Sequence, residues 1–400
     1  ATTESYTLSL HDALPISRTD LKTSKNFCEI IELGESNIEI LPEIIEKNEK
    51  LLSLGGLWGA GVLSYSPDSK SITLIEFSPF QLSNFNFEVI HEGRKHFTLK
   101  EWVNFLTISY GLNPVNLSDE EKLLILSRLI PFAENNVNMI ELGPMGTGKT
   151  YTAREISFYS KIIVGKVTAP RLFWDDSRRQ AGFLAISDCL TIDEVKTFSL
   201  SDQKQQSQEL LGLFKDYLAS GKYNRGKSTT ISSSTSVLFT GNIDCDTTNK
   251  ISLLPDYFSV FPKQMQSDPA IFDRIHGFLE GWKIPVIDNV QKSFARNYGF
   301  LSDYFGEFLH ELRKLNFQIL IQNRVRFTNV KKRDEEGIIK IASGLLKILF
   351  PHEDFDDHEL DFVLKIATNY RQIIKNQLHR LVPAEHPLIS MEFEIIGKNS

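Results

Sequence analysis

Gly143-Pro144-Met145-Gly146-Thr147-Gly148-Lys149-Thr150 is the stretch that decides the fold, because it fits the pattern G-x-x-x-x-G-K-[ST] at every fixed position. The apolar run 136–142 before it predicts a strand, and residues 151–158 after it predict a helix. The glycines let successive backbone N–H groups point inward, so all eight residues are expected to line a chain of phosphates. We expect Lys149 to reach the β- and γ-phosphates and the Thr150 hydroxyl to hold Mg²⁺. A glycine-rich turn that arises by chance is the alternative.

An acidic site should accompany this loop, because hydrolysis also needs carboxylates that hold magnesium and polarise water. The segment Cys189-Leu190-Thr191-Ile192-Asp193-Glu194 supplies it as an apolar strand that ends in two acids. We expect Asp193 to bind magnesium and Glu194 to take a proton from the attacking water. Thr191 and Asp188 make this strand more polar than the ideal motif, and two solvated acids are the alternative.

Further polar residues follow in the order that a hydrolytic site would need. Asn242 ends the strand pattern of 236–240 and can orient the water, although Gly-Asn is also ordinary turn chemistry. Arg274 is expected to reach the γ-phosphate of a neighbouring subunit, which requires an oligomer; a salt bridge with Asp273 is the alternative. Arg333 is expected to contact nucleotide in its own subunit. His276 is expected to be a packed or surface histidine rather than a ligand.

Composition limits the class of protein. The chain has 400 residues, enough for two or three domains, and 41% of them are hydrophobic. Since no run of about 18 or more apolar residues occurs, a membrane span is not expected. Cys28, Cys189 and Cys245 are too widely separated for a disulfide framework or a zinc site, which favours a reducing cytoplasm. The net charge of −7 means that nucleic-acid contacts would need local basic patches.

The pattern along the chain predicts an α/β protein whose mostly parallel, three-layered sheet surrounds the phosphate loop. Residues 1–20 match neither a helical nor a strand period and resemble translated sequencing-adapter read-through, so we expect a non-native or disordered leader; an uninterrupted native reading frame through these codons would contradict that origin. The remaining segments are a partial β-rich domain at 21–97, a helical linker at 98–135, the nucleotide-binding core at 136–330 and a helical lid at 331–400.

Local signals place the elements within these segments. Strands are expected at 38–41, 57–64, 72–77, 162–164, 183–192 and 236–240. Two helices are expected to start at capping boxes, Thr98 with Glu101 and Ser118 with Glu121. Further helices are expected at 206–219 and, from their apolar spacing, at 338–349 and 363–381.

Some features allow more than one interpretation. The range 313–333 carries seven Lys or Arg and no acid, and 221–227 is a second basic segment that could touch phosphates in the channel of a ring. A solvated face and a plain surface hairpin are the alternatives. The run 352–358 contains potential metal ligands, but a polar helix entry is expected there. Ser343 and Lys347 lie one helical turn apart without a nearby oxyanion loop, so a Ser-Lys protease dyad is not expected.

Taken together, these motifs resemble the AAA+ class of ring ATPases, and further segments resemble the BrxL family, the Lon-related AAA+ component of BREX bacteriophage-defence systems. The resemblance covers roughly residues 50–382 and depends on motifs that recur in order. These motifs are Glu92 to Thr98, Glu101-Trp102, Gly111 to Pro114, Arg128 to Phe132, Ile140 to Pro144, Phe272 to His276, Gly281-Trp282, Tyr298 to Phe300, Ser343 to Lys347 and Arg371 to Leu378.

The resemblance implies a homo-oligomeric ring, expected to be hexameric, that uses ATP and Mg²⁺, binds DNA and acts with other BREX components. It also implies a form related to MCM replicative helicases. Members carry a longer DNA-binding front domain and a Lon-like C-terminal domain. This chain has a shortened front and stops at Ser400, so we expect a fragment or a short variant. Met145 stands where the family usually has a basic residue.

Three functions follow as hypotheses. The first is an AAA+ ATPase that acts on DNA in phage defence, and the second is an unfoldase or regulatory part of a Lon-type protease. The third is a nucleotide-binding assembly module that hydrolyses poorly. DNA-stimulated hydrolysis favours the first, ATP-dependent casein degradation the second, and turnover that does not depend on protein concentration the third.

Overall fold

The chain divides into two units, Ala1–Phe85 and Asn86–Ser400, each with most of its contacts inside itself. The structure is a computed structural model. It describes residues 4–14, 18–20, 25–30, 35–48, 57–67, 69–79, 85–175, 180–199, 204–225 and 229–396.

The first unit is a six-stranded sheet with one short helix. Its strand order is β1-β5-β6-β4-β3-β2, and the pairs are antiparallel except β4 with β6. Apolar side chains including Ile38, Leu63 and Leu74 form its core. The elements are β1 (Glu4–Leu14), β2 (Arg18–Asp20), β3 (Lys25–Ile30), β4 (Glu35–Ile40), α1 (Pro42–Lys47), β5 (Leu57–Ser66) and β6 (Ser71–Pro79).

The predicted front strands at 38–41, 57–64 and 72–77 coincide with β4, β5 and β6. The range 1–20 differs from expectation, because β1 and β2 lie within it and β1 pairs with β5 from Glu4 to Leu14. Strand formation depends on the neighbouring strand as well as on the segment itself, so pairing with β5 accounts for a strand where the sequence period gives no signal. The expected adapter origin of these residues stays a prediction.

The second unit is built around a five-stranded parallel sheet with the order β17-β7-β14-β11-β8. β7, β11 and most of β14 are buried, as expected for strands covered on both faces. Because all five strands are parallel, their carboxyl ends meet at one edge. The strands are β7 (Asn138–Gly143), β8 (Ser160–Val164), β11 (Cys189–Asp193), β14 (Ser236–Asn242) and β17 (Gly277–Glu280).

In the described part of the second unit, helices and four small two-stranded sheets accompany this sheet. The helices are α2 (Phe87–Arg94), α3 (Leu99–Ser109), α4 (Asp119–Ser127), α5 (Ile130–Ala133), α6 (Lys149–Glu155), α7 (Ala169–Leu172), α8 (Phe183–Ile186), α9 (Lys204–Ser220), α10 (Lys263–Gln266), α11 (Pro269–Phe272), α12 (Val290–Ser293), α13 (Ser302–Leu312), α14 (Phe317–Arg324), α15 (Lys332–Leu349) and α16 (Asp357–Leu381). The small strands are β9 (Trp174–Asp175) with β10 (Gln180–Ala181), β12 (Lys222–Arg225) with β13 (Thr229–Ser232), β15 (Cys245–Asp246) with β16 (Ile251–Ser252), and β18 (Val325–Thr328) with β19 (Glu392–Ile395).

Both predicted capping boxes are present, at Thr98 before α3 and Ser118 before α4. Helix α3 packs against the end of α15 within the second unit, since Trp102 Nε1 donates to Ile348 O at 2.9 Å. Buried Arg94 of α2 likewise donates to Leu349 O at 2.9 Å. The structure therefore places the range predicted as a linker inside the second unit, which already begins at Asn86.

The expected strand at 183–192 is only half right. Residues Phe183–Ile186 form helix α8, and strand β11 begins at Cys189. A short apolar run fits a buried helical turn as well as a strand, so periodicity alone cannot separate them. At Gly182, directly before α8, a Cβ would meet the backbone of Leu172 and Phe173, so a side chain does not fit there.

The two predicted C-terminal helices are α15 and α16, whose apolar stripes are buried. They pack on each other and α16 also packs on β17. Among the described residues, none of the helices combines the length and the apolar character that crossing a membrane requires.

Candidate functional site

The phosphate-loop candidate lies where β7 ends at the carboxyl edge of the parallel sheet. Gly146 and Gly148 have φ of 80° and 83°, a left-handed conformation that glycine adopts without strain. Gly143 approaches Gly281 so closely that an added Cβ would lie 2.6 Å from the backbone of Gly281. Ile287 N donates to Gly146 O at 2.9 Å, which anchors the loop. The pattern therefore has the strand, loop and helix geometry that the sequence predicts.

Lys149 opens α6 and is 7% exposed. Its Nζ donates to Pro144 O at 2.6 Å and to Gly143 O at 3.1 Å, so the ammonium lies across the loop. Burial lowers the pKa of Lys149, while the nearby carboxylates of Glu141 and Asp193 partly oppose that shift. A lysine whose partners are two carbonyls can exchange them for phosphate oxygens, because those are stronger acceptors.

Asp193 is the centre of the acidic part of the site and is buried. Its Oδ2 accepts from Thr150 Oγ1 at 2.7 Å, and its Oδ1 accepts from Thr240 Oγ1 at 2.6 Å and from Glu194 N at 2.9 Å. A hydroxyl and a carboxylate in contact are oxygen ligands of the kind that Mg²⁺ takes beside nucleotide phosphates. The residues present therefore fit the cation that the sequence implies.

Glu194 and Asn242 follow at the same edge. Glu194 is exposed and has φ of 52°, which is uncommon for a residue with a side chain. Asn242 is exposed at the end of β14 and pairs in register with Gly143. Gly241 permits this packing, because a Cβ there would lie 2.7 Å from Val195. The structure thus brings Lys149, Thr150, Asp193, Glu194 and Asn242 to one edge of the sheet.

Arg274 lies at the opposite edge, just before β17. Asn138, the first residue of β7, lies at that edge and contacts the Arg274 segment. Its backbone O accepts from His276 N at 2.7 Å, and its Nδ2 donates to Arg274 O at 3.0 Å. From Asn138 to Gly143 the strand rises by about 16 Å, at about 3.3 Å per residue. Arg274 is half-buried and donates to Ala270 O at 2.6 Å. It does not contribute to the nucleotide edge of its own chain.

Arg333 is not brought to its own phosphate loop either. At the start of α15 it forms an ion pair with Asp273, beside Arg274. Burial and the charge of the nearby Arg333 lower the pKa of Arg274. The expectation of a contact within the same subunit therefore does not match this geometry. Sequence order does not determine which edge of a sheet a residue at the start of a helix will reach.

Sequence reasoning missed a buried group that supports the loop from behind. Arg128 is 1% exposed; it donates to Glu141 at 2.6 Å and to Thr147 O at 2.6 Å. Burial alone would lower the pKa of Arg128, but the charge of Glu141 and the other interactions with Glu141 and Tyr110 together outweigh burial and raise that pKa. Tyr110 bonds both Arg128 and Thr152 of α6. The available signal was Glu141, a charge inside an apolar strand that demands a buried partner.

The other polar candidates have structural roles here. Ser343 and Lys347 are buried and both contact Glu134, with Lys347 Nζ 2.9 Å from its carboxylate. His276 was expected to be either packed or on the surface, and it is buried. Its Nδ1 accepts from Asn138 N at 2.8 Å. In the run 352–358, Asp356 forms the capping box of α16, so the predicted polar helix entry is confirmed.

The two basic segments differ from each other. In the range 313–333, Arg313 is buried and donates to Ser234 O at 2.6 Å, and Arg324 lies 2.5 Å from Asp357, so neither belongs to a solvated face. The segment 221–227 enters the antiparallel hairpin of β12 and β13. Its tip, 226–228, lies outside the described residues.

Comparison with known proteins gives the relationship of the chain. The family described as "Lon-like protease BrxL-like, ATPase domain" matches residues 72–392. A "Lon-like protease BrxL" of Bacillus cereus (strain H3081.97) is 35% identical over 88% of this chain and 52% of its own length. A protein of the same description from Escherichia coli O9:H4 (strain HS) is 32% identical over 88% and 50%. The chain thus spans about half the length of these curated relatives.

A solved structure of a full-length MCM homologue from Methanopyrus kandleri overlaps 92% of this chain and 77% of its own, with 10% identity and a TM-score of 0.47.

The predicted α/β fold is confirmed by the structure of the chain itself: a parallel sheet around the P-loop, a C-terminal helical lid and a β-rich front. Because the family match spans residues 72–392, the chain belongs to the BrxL-like family and carries its ATPase domain.

Proposed function

We propose that this chain hydrolyses ATP as part of a homo-oligomeric ring that acts on DNA in BREX phage defence. The observation that carries the proposal is the contact of Thr150 Oγ1 with Asp193 Oδ2 at 2.7 Å, beside Lys149. A hydroxyl and a carboxylate in this arrangement suit Mg²⁺, and the family is described as an ATPase domain. A cytoplasmic location is part of the proposal and is supported by Cys28, Cys189 and Cys245, which are free.

In this proposal the backbone N–H groups of the loop 143–150 and Lys149 hold the phosphates, and Thr150 and Asp193 hold Mg²⁺. When bound there, Mg²⁺ would neutralise charge on the phosphates. Glu194 takes the proton of the attacking water, and Asn242 orients that water. Glu194 is exposed at the end of β11, where solvent can reach it. Arg128 keeps the loop in place through Thr147 O.

Arg274 and Arg333 are proposed to act on the nucleotide of a neighbouring protomer. Both lie at the edge opposite the P-loop, so neither serves the nucleotide of its own chain in this arrangement. A head-to-tail contact that repeats and closes forms a ring, and a hexamer is the proposed size. The charge of an arginine supplied by a neighbour stabilises the transition state.

DNA contact is proposed for the hairpin of β12 and β13. The segment Gly221-Lys222-Tyr223-Asn224-Arg225-Gly226-Lys227 concentrates positive charge in a chain whose net charge is −7. Lys222 is exposed in this hairpin, so its ammonium can meet a phosphate backbone. Other BREX components are proposed partners of the ring.

The test is DNA-stimulated ATP hydrolysis by the wild type and by Glu194→Gln. We expect the variant to bind ATP normally and to turn over slower by a factor on the order of 10²–10⁴, because the proton acceptor is lost. Equal turnover in both proteins would contradict the role of Glu194. Lys222→Ala, which leaves the catalytic edge untouched, should reduce the stimulation by DNA but not the basal rate.

The alternative is the ATP-dependent unfoldase part of a Lon-type protease, which the description of the curated relatives favours. Ser343 and Lys347 of this chain do not support proteolysis within it, because both are buried against Glu134. Casein degradation that requires ATP, without DNA binding at low salt, would favour this alternative.

A further inference from the structure

A buried ion network joins the two C-terminal helices to the segment that carries Arg274. Asp334 of α15 and Arg371 and Lys375 of α16 are each at most 1% exposed. Arg371 donates to Asp334 Oδ1 from Nη2 at 2.7 Å and from Nε at 2.9 Å, and Lys375 Nζ donates to Oδ2 at 3.1 Å. Buried charges of this kind need partners, and here the helices supply them to each other.

Arg371 also holds the backbone on both sides of Arg274. Its Nη2 donates to Asp273 O at 3.2 Å, and its Nη1 donates to Ile275 O. The rigid guanidinium presents five N–H donors, so one side chain can bind Asp334 and two carbonyls together. Arg371 thus ties α15 to the residues immediately before and after Arg274.

Asp273 extends the network to the surface. Its carboxylate accepts from Arg371 Nη2 at 3.3 Å and forms the ion pair with Arg333. Burial alone would raise the pKa of Asp273, but the hydrogen bond from Arg333 and the charges of Arg371 and Arg333 outweigh it and lower that pKa. Half-buried Arg274 and exposed Arg333 are therefore both tied to buried Arg371, the first through its chain neighbours Asp273 and Ile275 and the second through the Asp273 carboxylate.

Close packing reinforces this attachment. A Cβ on Gly277, just after the Arg274 segment, would lie 3.0 Å from Ile341 of α15 and 3.2 Å from Tyr370 of α16. A Cβ on Gly337 of α15 would lie 3.3 Å from Arg371 and from His276 O. Because interiors of this density do not deform continuously, the helices and the segment should move as one body.

We propose that Arg371 is a positioning residue for Arg274. It fixes residues 273–275 to α15 and α16, so that Arg274 reaches the neighbouring nucleotide at a set position and any displacement of these helices displaces the arginine. The proposal rests on the proposed function of Arg274 in the neighbouring site.

The experiment compares ATP turnover and ATP affinity of the full chain, with DNA, for the wild type, Arg371→Lys, Arg274→Ala and the double variant. Lysine keeps the charge beside Asp334 but cannot also bind two carbonyls. We expect Arg371→Lys to lower kcat about tenfold or more, since small misplacements of a catalytic group are costly. Its affinity for ATP should be unchanged, and the double variant should be no slower than Arg274→Ala.

Lys375→Gln is the matched control. Lys375 hydrogen-bonds the same Asp334 carboxylate and, in the described part of the chain, has no hydrogen bond to the segment 273–275. We expect this control to lose thermal stability but keep its kcat. Should Arg371→Lys not fold, Arg371→Met combined with Asp334→Asn and Lys375→Gln removes all three buried charges, leaves none of them unpaired, and should show the same kinetics.

The outcomes separate the two proposals. If Arg274→Ala is as active as the wild type, the function proposed for Arg274 is wrong, and the positioning role is wrong with it. If Arg274→Ala is slow but Arg371→Lys turns over normally, only the positioning role is overturned. An equal loss of kcat from Arg371→Lys in the presence and absence of Arg274, or a parallel loss of ATP affinity, would also overturn it, because a general structural defect gives that result.

Discussion

At the residue scale, the site depends on contacts that a motif does not list. The sequence predicted Lys149, Thr150, Asp193 and Glu194, because phosphate loops and acidic strand ends have recognisable patterns. It did not predict Thr240, whose hydroxyl lies 2.6 Å from Asp193 Oδ1. A threonine inside a strand gives no signal of its own, since only the register of β14 against β11 brings it to the carboxylate.

We predict that Thr240→Val weakens Mg²⁺ binding without changing the fold. Valine keeps the shape but removes the hydrogen bond that orients Asp193, and such contacts are worth about 10–100-fold in metal affinity. The midpoint of Mg²⁺ dependence of ATP turnover measures this, and saturating Mg²⁺ should restore the rate. Thr191→Val, equally buried in β11, is the control and should leave the midpoint unchanged. An unchanged midpoint for Thr240→Val would show that the contact is not functional.

A second residue-scale prediction concerns Arg128. Arg128→Met leaves the Glu141 carboxylate buried without its partner, which should cost about 3–5 kcal/mol of unfolding free energy. Chemical denaturation measures this loss. The double variant with Glu141→Leu removes both charges and should recover most of the stability. If the single and double variants are equally destabilised, the loss comes from packing and not from the unpaired charge.

At the element scale, strong local signals predicted the helices correctly, whereas the short apolar run 183–186 was wrongly predicted as a strand. The capping boxes at Thr98 and Ser118 and the long apolar stripes of α15 and α16 depend on nearby residues, so they were predictable. Residues 183–186 could form either a strand or a helical turn, because the period of so short an apolar run does not distinguish the two. The position of Arg333 depended on how α15 packs against the Arg274 segment, which no local pattern encodes.

His276, directly before β17, leads to a prediction about how stability depends on pH. Burial, with the charges of Lys340 and Arg371, holds the pKa of His276 well below its ordinary value. As the pH falls through about 6.5, the unfolded chain binds a proton that the folded chain does not. The contribution of His276 to stability is therefore present above that pH and is lost as the pH falls, by up to about 1.4 kcal/mol per pH unit.

Denaturation of the wild type and of His276→Asn between about pH 6.5 and 5 tests this linkage. The variant should show a shallower loss of stability with falling pH, because its amide does not titrate. His358→Asn, at an exposed position, should keep the slope of the wild type. Identical slopes for all three proteins would mean that His276 is not the group responsible.

At the scale of the whole molecule, the sequence predicted the α/β core, the helical lid and the β-rich front, but not the distance between the P-loop and Arg274. The P-loop and Arg274 lie at opposite edges of the parallel sheet, separated by the length of β7. In the proposed ring, where Arg274 acts on a neighbour's nucleotide, each chain presents half of each of two sites, so turnover should rise as protomers associate. Specific activity against protein concentration measures this, and a flat profile would favour an isolated nucleotide-binding module.

Mixing two inactive variants tests the central claim most directly. Lys149→Ala keeps Arg274 but lacks the P-loop lysine, and Arg274→Ala keeps the P-loop but lacks the arginine. With equal, random mixing, about one interface in four joins an intact pocket to an intact arginine, so we predict ATP turnover near a quarter of the wild-type rate from two proteins that are each nearly inactive. A mixture that is no more active than its components would contradict hydrolysis shared between neighbouring protomers.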